Sequence, residues 1–444
     1  MNLVYGIKDK PKFGQLLIFA FQQVLAILAA TLLVPAIIGN GMSQPAALFG
    51  AGVGTIVYQL FTKFKSPVYL GSSFAFIGSM FAAFGGAASA SAGYAGLLIG
   101  ATFAGLVYVV IALVVKVVGV KWIDKLMPPV VIGPTVALIG LSLAVNAVND
   151  LTAGKVLVDG ASACDPLVAL VCGIVTLFAI MIFSVYGKKM IKLIPFVLGI
   201  LVGYVVAAIF TAIGLATDNV SLQIINFAAF KEMQAVAVPD FAFVEAMKGV
   251  KEIDAGFIVT VAVAYVPVAF VVFAEHIADH KNLSSIIGQD LLEEPGLHRT
   301  LLGDGIGSMA GAFFGGCPNT TYGESVGCVA ITRNASVITI TTAAIMCMVI
   351  SFFGPFVTFL SSIPNCVMGG VCVALYGFIA VSGLKMIQKV DLNLGKNLFV
   401  VASILIPGIG GLSVSFGKVT LTTIACALIL GILTNTMLQK AKDE

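Results

Sequence analysis

Long runs of apolar residues recur along the whole chain and constrain its fold more than any other feature. They include residues 97–115, 166–185, 193–216 and 419–438. About 20 apolar residues form a helix that crosses the hydrocarbon core of a bilayer, which is roughly 30 Å thick. Only 10% of the residues are charged, whereas soluble domains have about 25%. The pattern predicts an all-α polytopic membrane protein.

We expect fourteen transmembrane spans. They are residues 14–34, 44–62, 67–84, 92–116, 126–147, 165–187, 192–215, 255–281, 299–314, 318–333, 335–353, 366–384, 395–410 and 418–438. The third and tenth spans contain too many Ser, Thr, Gly and Asn residues to be ordinary helices.

The basic residues favour this layout, because Lys and Arg are retained on the cytoplasmic side of a membrane. With both termini cytoplasmic, nineteen of the 24 Lys and Arg residues fall inside. The inner set is Lys8, Lys10, Lys12, Lys63, Lys65, Lys116, Lys121, Lys125, Lys188, Lys189, Lys192, Lys281, Arg299, Arg333, Lys385, Lys389, Lys396, Lys440 and Lys442. The outer set is Lys155, Lys231, Lys248, Lys251 and Lys418. This bias predicts a multi-pass protein of the cell (inner) membrane.

The most polar stretch, residues 216–254, divides the chain into two halves of seven spans. Seven is an odd number, so the second half, residues 255–444, has the opposite orientation to the first, residues 1–215. Inverted repeats of this kind are a transporter architecture, in which substrate binds near the midplane at discontinuous helices. We therefore expect a 7+7 inverted repeat joined by an extracellular linker.

The third span of each half is interrupted by small polar residues. The first half has Ser72-Ser73-Phe74 after Leu70-Gly71, and the second half has residues 318–324, PNTTYGE. Backbone that leaves a helix at membrane depth is tolerated where it is buried in protein or lines a cavity. We predict two half-helices that meet at the midplane, each after a short extended piece. Their N-terminal amides suit a ligand with carbonyl oxygens.

Two carboxylates, Glu275 and Glu324, lie in predicted spans eight and ten. A charged side chain at the bilayer centre is unfavourable by roughly 2.5–3.5 kcal/mol on insertion scales. One interpretation is structural, either an internal ion pair or capping by Ser and Thr, but no Lys or Arg lies within a span core. The other is a clamp that accepts hydrogen bonds from the N–H groups of a small polar ligand, with proton exchange.

Glu275 is followed by His276, Asp279 and His280. All four residues are candidates for proton coupling, and Asp279 lies one helical turn after Glu275. The i, i+4 histidines resemble a metal-binding pair, but no third ligand with suitable spacing is present, so we predict no metal site. The glycine-rich residues 303–307 follow no strand and precede no lysine, which argues against a nucleotide loop. We predict no cofactor and no nucleic-acid partner.

Several of these motifs resemble those of one transporter family. They are FQQVLAILAATLLVP (21–35), GSSFAFI (71–77), FAEHIADH (273–280), DLLEEPGLHRTLLGDG (290–305), PNTTYGES (318–325), E-x-x-G-x-x-x-x-T-R (324–333) and LYGFIAVSG (375–383). The chain is similar to the bacterial uracil permeases of the nucleobase:cation symporter-2 family, also called nucleobase–ascorbate transporters. The resemblance covers nearly the whole chain.

The resemblance implies a fold, a substrate and a set of binding residues. It implies a core domain of spans 1–4 and 8–11, a gate domain of spans 5–7 and 12–14, and proton-coupled uracil import by alternating access, usually by a homodimer in the lipid bilayer. Glu275 and Glu324 would accept the uracil N–H groups. The backbone amides of Phe74, Gly323 and Glu324 would donate to its carbonyl oxygens. Ala30 and Tyr376 would line the pocket, Tyr376 from the gate side.

The chain also departs from the family pattern. Gln22-Gln23 replaces a common Gln-His, Ser325 replaces a common Asn, and Asp279 replaces a common histidine. The last change leaves the proton route open. Glu324 resembles the uracil members, whereas purine transporters tend to have Gln at this position.

Three alternatives to uracil import remain at this stage. In the first, the same fold transports a purine base such as xanthine or urate. In the second, it transports a small anion. In the third, the chain is a membrane enzyme or channel. We predict a transporter and not an enzyme, because no nucleophile, metal set or cofactor loop is recognisable in the sequence.

Overall fold

The computed structural model describes residues 3–119, 128–158, 161–188, 190–231, 233–416 and 419–439. Six of the lysines used above lie outside the described residues. They are Lys121, Lys125, Lys189, Lys418, Lys440 and Lys442.

The described residues form eighteen α-helices. They are α1 (Phe13–Ile38), α2 (Gln44–Phe61), α3 (Ile77–Gly85), α4 (Ala90–Val118), α5 (Pro129–Ser142), α6 (Ala144–Asp150), α7 (Pro166–Tyr186), α8 (Met190–Leu193), α9 (Pro195–Ala216), α10 (Ala242–Gly249), α11 (Ala255–Ile287), α12 (Leu297–Gly315), α13 (Gly323–Thr332), α14 (Val337–Ile350), α15 (Gly354–Ser362), α16 (Asn365–Ile387), α17 (Gly395–Ile409) and α18 (Thr423–Leu438).

Six short strands form three separate antiparallel pairs. They are β1 (Leu70–Ser72) with β4 (Asn319–Thr321), β2 (Leu157–Val158) with β3 (Ala161–Ser162), and β5 (Val414–Phe416) with β6 (Val419–Leu421). A 3₁₀ turn, Phe74–Phe76, joins β1 to α3.

Seven described helical segments are long and apolar enough to cross a membrane. They are Phe13–Ile38, Ala90–Val118, Pro129–Asp150, Pro166–Tyr186, Pro195–Ala216, Ala255–Ile287 and Asn365–Ile387. Each of the fourteen predicted spans overlaps at least one of the described helices. The extended pieces expected before the two half-helices are present as β1 and β4. The crossing of the bilayer by all fourteen spans stays a prediction.

The helices pack mainly within two groups. In the first helix group, α1–α4 and α10–α14, the most extensive pairing joins α2 to α12, and α4 packs on α11 and α12. In the second helix group, α5–α9 and α16–α18, α16 packs on α5 and α7, and α17 packs on α18. Fewer contacts join the two groups, among them those of α11 with β6 and α18.

Local sequence sets the ends of the longest helix, α11. Asp254 precedes it and accepts a hydrogen bond from the Phe257 N–H at 2.7 Å, which satisfies one of the free donors of the first turn. Gly288 follows it with a left-handed φ of 72°, a conformation that glycine adopts without a steric penalty.

The contact between α2 and α12 depends on glycines around one buried side chain. The Asn319 Nδ2 donates to the Gly50 carbonyl at 3.2 Å. A Cβ atom at Gly311 would overlap the side-chain amide of Asn319, and one at Gly54 would lie 2.7 Å from the Gly307 carbonyl oxygen. Small residues therefore let the two helices approach closely and enclose the start of β4.

We expect Gly311→Ala to destabilise the protein, because overpacking a filled interior is unfavourable by roughly 1–3 kcal/mol. The midpoint of thermal unfolding of the purified protein measures the change. Gly377→Ala is the matched control, since Gly377 lies within α16 and a Cβ atom there meets nothing within 4 Å. Equal midpoints for the two variants would contradict the role of close packing.

Candidate functional site

The paired strands β1 and β4 place two helix beginnings near each other. Leu70 pairs with Thr321, Gly71 with Thr320 and Ser72 with Asn319. Because the pair is antiparallel, the 3₁₀ turn that leads into α3 starts at one end of the pair and α13 starts at the other. Residues 247 to 251 positions apart in sequence are joined in this way.

Side chains of α2 hold the strand β1 in place. The Thr55 hydroxyl accepts a hydrogen bond from the Leu70 N–H at 2.9 Å, and the Gln59 side-chain amide donates to the carbonyls of Ser66 and Val68 at 2.9 and 3.1 Å. The Tyr322 hydroxyl, at the end of β4, donates to the Ser72 carbonyl at 2.7 Å. These bonds satisfy buried backbone groups that are not part of a helix.

Both helix beginnings line one cavity of about 510 Å³. Its other walls come from α5, α9, α11 and α16. The lining residues are Ser73, Phe74, Ala75, Ile132, Val136, Ile139, Phe196, Val271, Glu275, Ala278, Asp279, Thr320, Thr321, Tyr322, Gly323, Glu324, Leu375, Phe378, Ile379, Ser382 and Met386. The backbone N–H groups of a first helical turn have no partner within the helix, so two sets of donors are available at the cavity wall.

Three carboxyl groups share this cavity. Glu275 and Asp279 lie one turn apart on α11, and Glu324 lies in the first turn of α13. The Thr321 hydroxyl donates to Asp279 Oδ2 at 2.7 Å. None of the described residues that line the cavity is basic. The cavity therefore offers carboxylate acceptors and backbone donors, with apolar side chains on the remaining walls.

Five of the predicted site residues come together here, namely Glu275, Glu324, Phe74, Gly323 and Asp279. Ala30 and Tyr376 are buried, with exposed fractions of 4% and 3%, and do not line the cavity. Tyr376 follows Leu375, which does.

The two predicted histidines face away from the cavity. His276 is fully buried, with Nδ1 at 2.6 Å from Asp304 Oδ2 and Nε2 at 3.0 Å from the Thr300 hydroxyl. His280 is also fully buried, with Nε2 at 2.7 Å from the Tyr58 hydroxyl and Nδ1 at 2.8 Å from the His276 carbonyl oxygen. Their hydrogen bonds hold α11 against α12 and α2.

The described residues show no group of three or more His, Cys, Asp or Glu side chains arranged to hold a metal ion.

Sequence reasoning did not single out Thr321 or the apolar wall formed by Ile132, Val136, Phe196 and Phe378. Thr321 had a detectable signal, since it lies within the polar interruption of span ten. The apolar residues had none, because they resemble any other residue of an apolar helix.

Comparison with known proteins shows that the sequence matches one family over most of its length. The sequence model of a family described as the permease family matches residues 14–417. The uracil permease of Bacillus subtilis (strain 168) is 37% identical, covering 99% of this chain and 96% of the relative. That of Bacillus caldolyticus is 39% identical, covering 98% and 94%. That of Escherichia coli (strain K12) is 34% identical, covering 96% and 92%.

Two solved structures share the fold at low sequence identity. The transmembrane domain of the cyanobacterial bicarbonate transporter BicA has a TM-score of 0.58 and 15% identity, with 96% of this chain and 99% of that chain covered. The murine anion transporter Slc26a9 has a TM-score of 0.67 and 11% identity, with 97% and 69% covered. Together with the seven long apolar helices, the comparisons identify a multi-pass membrane protein.

We expect Thr321→Val to destabilise the protein relative to Thr321→Ser. Valine has no donor for Asp279, and hydrogen bonds to charged groups contribute roughly 1.5–3 kcal/mol. Thermal unfolding of both variants beside the unmodified protein measures the difference. A loss of stability in Thr321→Val no greater than that in Thr321→Ser would contradict the role of the hydroxyl.

Proposed function

This chain belongs to the permease family, and from that premise we propose that it imports uracil by proton symport. Permeases are transporters, so the prediction that the chain is not an enzyme is confirmed. Relatives named uracil permeases, 34–39% identical over nearly the whole chain, support uracil as the substrate.

One observation carries the proposal, namely that Glu275 and Glu324 share a cavity with the beginnings of two helices. Uracil has two N–H donors and two carbonyl acceptors. Two carboxylates match the donors, and backbone amides at helix beginnings match the acceptors. Apolar side chains around these groups suit the faces of a flat ring.

We assign each polar contact to a named group. Glu275 and Glu324 accept the uracil N–H groups, and the backbone amides of Phe74, Gly323 and Glu324 donate to its carbonyl oxygens. Ala30 and Tyr376 are buried and do not line the cavity. On the side of α16 we therefore assign contact with the ring to Leu375 and Phe378, which line the cavity.

Transport proceeds in our proposal by alternating access between the two helix groups. The first group corresponds to a core domain and the second to a gate domain. The division is supported by packing that is denser within each group than between them. The strand pair β1–β4 supports a 7+7 inverted repeat, because it joins the third span of one half to the third span of the other. We also propose a homodimer in the inner membrane with both termini cytoplasmic.

Proton coupling is proposed to occur at Glu275 and Asp279. The described residues that line the cavity include no basic side chain, so the three carboxyl groups repel one another when all are ionised. Binding of a proton relieves this repulsion. We leave His276 and His280 out of the proton route, because both rings are fully buried and both nitrogens of each have partners outside the cavity.

We expect Glu275→Gln and Glu324→Gln each to weaken uracil binding by roughly 10- to 100-fold. Each change replaces a charge-assisted hydrogen bond, worth about 1.5–3 kcal/mol, with a neutral amide that presents an N–H on one side. Uracil-dependent thermal stabilisation measures the affinity, with xanthine as the comparison ligand. Glu293→Gln is the matched control, since Glu293 is exposed outside the cavity. Uracil binding at full affinity by both cavity variants would overturn the assignment.

In proteoliposomes, an alkaline interior should drive uracil accumulation, and a protonophore should collapse it. Asp279→Asn should still bind uracil, because an amide oxygen can accept from Thr321, but should lose accumulation driven by the pH gradient. Accumulation that follows a sodium gradient at equal pH on both sides would contradict proton symport.

A further inference from the structure

A second cavity adjoins the proposed substrate cavity. It has a volume of about 270 Å³ and lies between α3, the α5–α6 segment and the start of α18. Its lining residues are Phe74, Ile77, Gly78, Phe81, Ile139, Ser142, Leu143, Asn146, Ser413, Thr422, Thr423 and Ile424. Only Phe74 and Ile139 among the described residues line both cavities. These two side chains therefore form the partition between them.

One face of the α5–α6 segment runs past this partition. Ile132 and Val136 line the substrate cavity, Ile139 lines both cavities, and Ser142 and Asn146 line the second cavity. The spacing of three or four residues places them on one helical face. On this face Ile139, which is 4% exposed, is the described residue that lines both cavities.

The lining of the second cavity suits a small neutral polar molecule. It has three hydroxyl-bearing residues at one end, Ser413, Thr422 and Thr423, together with Ser142 and Asn146. The Ser142 hydroxyl donates to the Ile139 carbonyl at 2.9 Å, so its oxygen remains an acceptor for a ligand. None of the described lining residues is charged.

The two cavities extend in opposite directions from the partition. The substrate cavity reaches Met386 and the last turn of α16, which carries Lys385. On the predicted topology this is the cytoplasmic side, since basic residues are retained there. The second cavity reaches Asn146 and Ser413, next to predicted outer loops. A third cavity has a volume of about 430 Å³ and is lined by Asp150, Lys155 and other residues. It is larger than the second cavity but shares no lining residue with the substrate cavity.

We propose that the second cavity is the outer vestibule through which uracil reaches its site, and that Phe74 and Ile139 form the seal between them. The inference rests on the proposed uracil transport. Phe74 belongs to the first helix group and Ile139 to the second, so a shift of one group against the other separates the two side chains. The vestibule holds uracil through neutral hydroxyl and amide groups before the carboxylates bind it.

Ile139→Ala tests the seal. In proteoliposomes with an alkaline interior, this variant should lose uracil accumulation while downhill uptake persists, because a permanent passage dissipates the gradient. Leu138→Ala is the matched control: it removes the same number of carbon atoms from the same helix. Leu138 is fully buried, lines neither cavity and packs near Gly408 of α17. Accumulation by Ile139→Ala equal to that of Leu138→Ala would overturn the proposal.

Asn146→Cys provides a second test that does not depend on the stability of Ile139→Ala. The eight native cysteines are buried, so a membrane-impermeant methanethiosulfonate reagent should modify the new thiol selectively. We expect modification from the outer side and a slower rate in the presence of uracil. A thiol that does not react from outside, or that reacts at a rate insensitive to uracil, would overturn the vestibule.

The two proposals fail in different ways. If the unmodified protein neither binds nor accumulates uracil, the proposed function is wrong. Suppose that it does both, that Ile139→Ala accumulates uracil as Leu138→Ala does, and that uracil does not change the rate at which the Asn146→Cys thiol is modified. Then only the vestibule and its seal are wrong.

Discussion

The pairing of β1 with β4 is the interaction on which the rest of the structure depends. Backbone that leaves a helix at membrane depth must find hydrogen-bond partners inside the protein, because lipid offers none. Each three-residue strand supplies partners for the other, and Thr55, Gln59 and Asn319 satisfy the groups nearby. Because the strands interrupt their spans, two helices can begin within the protein and present free amides to one cavity. A continuous helix at either position would present none.

The need to satisfy the strand backbone inside the protein also explains why small residues lie where the helices of the first group meet. Asn319 reaches the Gly50 carbonyl only because glycines on α2 and α12 leave room for its side chain. The strand pair is therefore held at a fixed depth and register against α2. The acceptors and donors that line the cavity therefore lie on secondary structure that is anchored on several sides.

The helical period of α11 places its two carboxylates and its two histidines on different faces. Glu275 and Asp279 lie one turn apart and face the cavity, while His276 and His280, each one residue further on, face α12 and α2. A step of one residue turns a side chain by about 100° around a helix axis. From the sequence all four residues were candidates for proton coupling. Only the neighbours of α11 decide which face meets the cavity, and those neighbours are distant in sequence.

The length of the apolar runs by itself determined the helical membrane fold. The polar interruptions at residues 71–74 and 318–324 determined the positions where two helices break. These properties are local, since hydropathy and helix propensity depend on nearby residues. The sequence also singled out Glu275 and Glu324 as carboxylates within apolar spans, and the family resemblance added Phe74 and Gly323. All four residues line one cavity. The tertiary structure alone decided that Tyr376 and Ala30 are buried outside the cavity lining, that Thr321 donates to Asp279, and that Phe74 and Ile139 each line two cavities. Such contacts join segments far apart in the chain, and no local pattern of residue types specifies them.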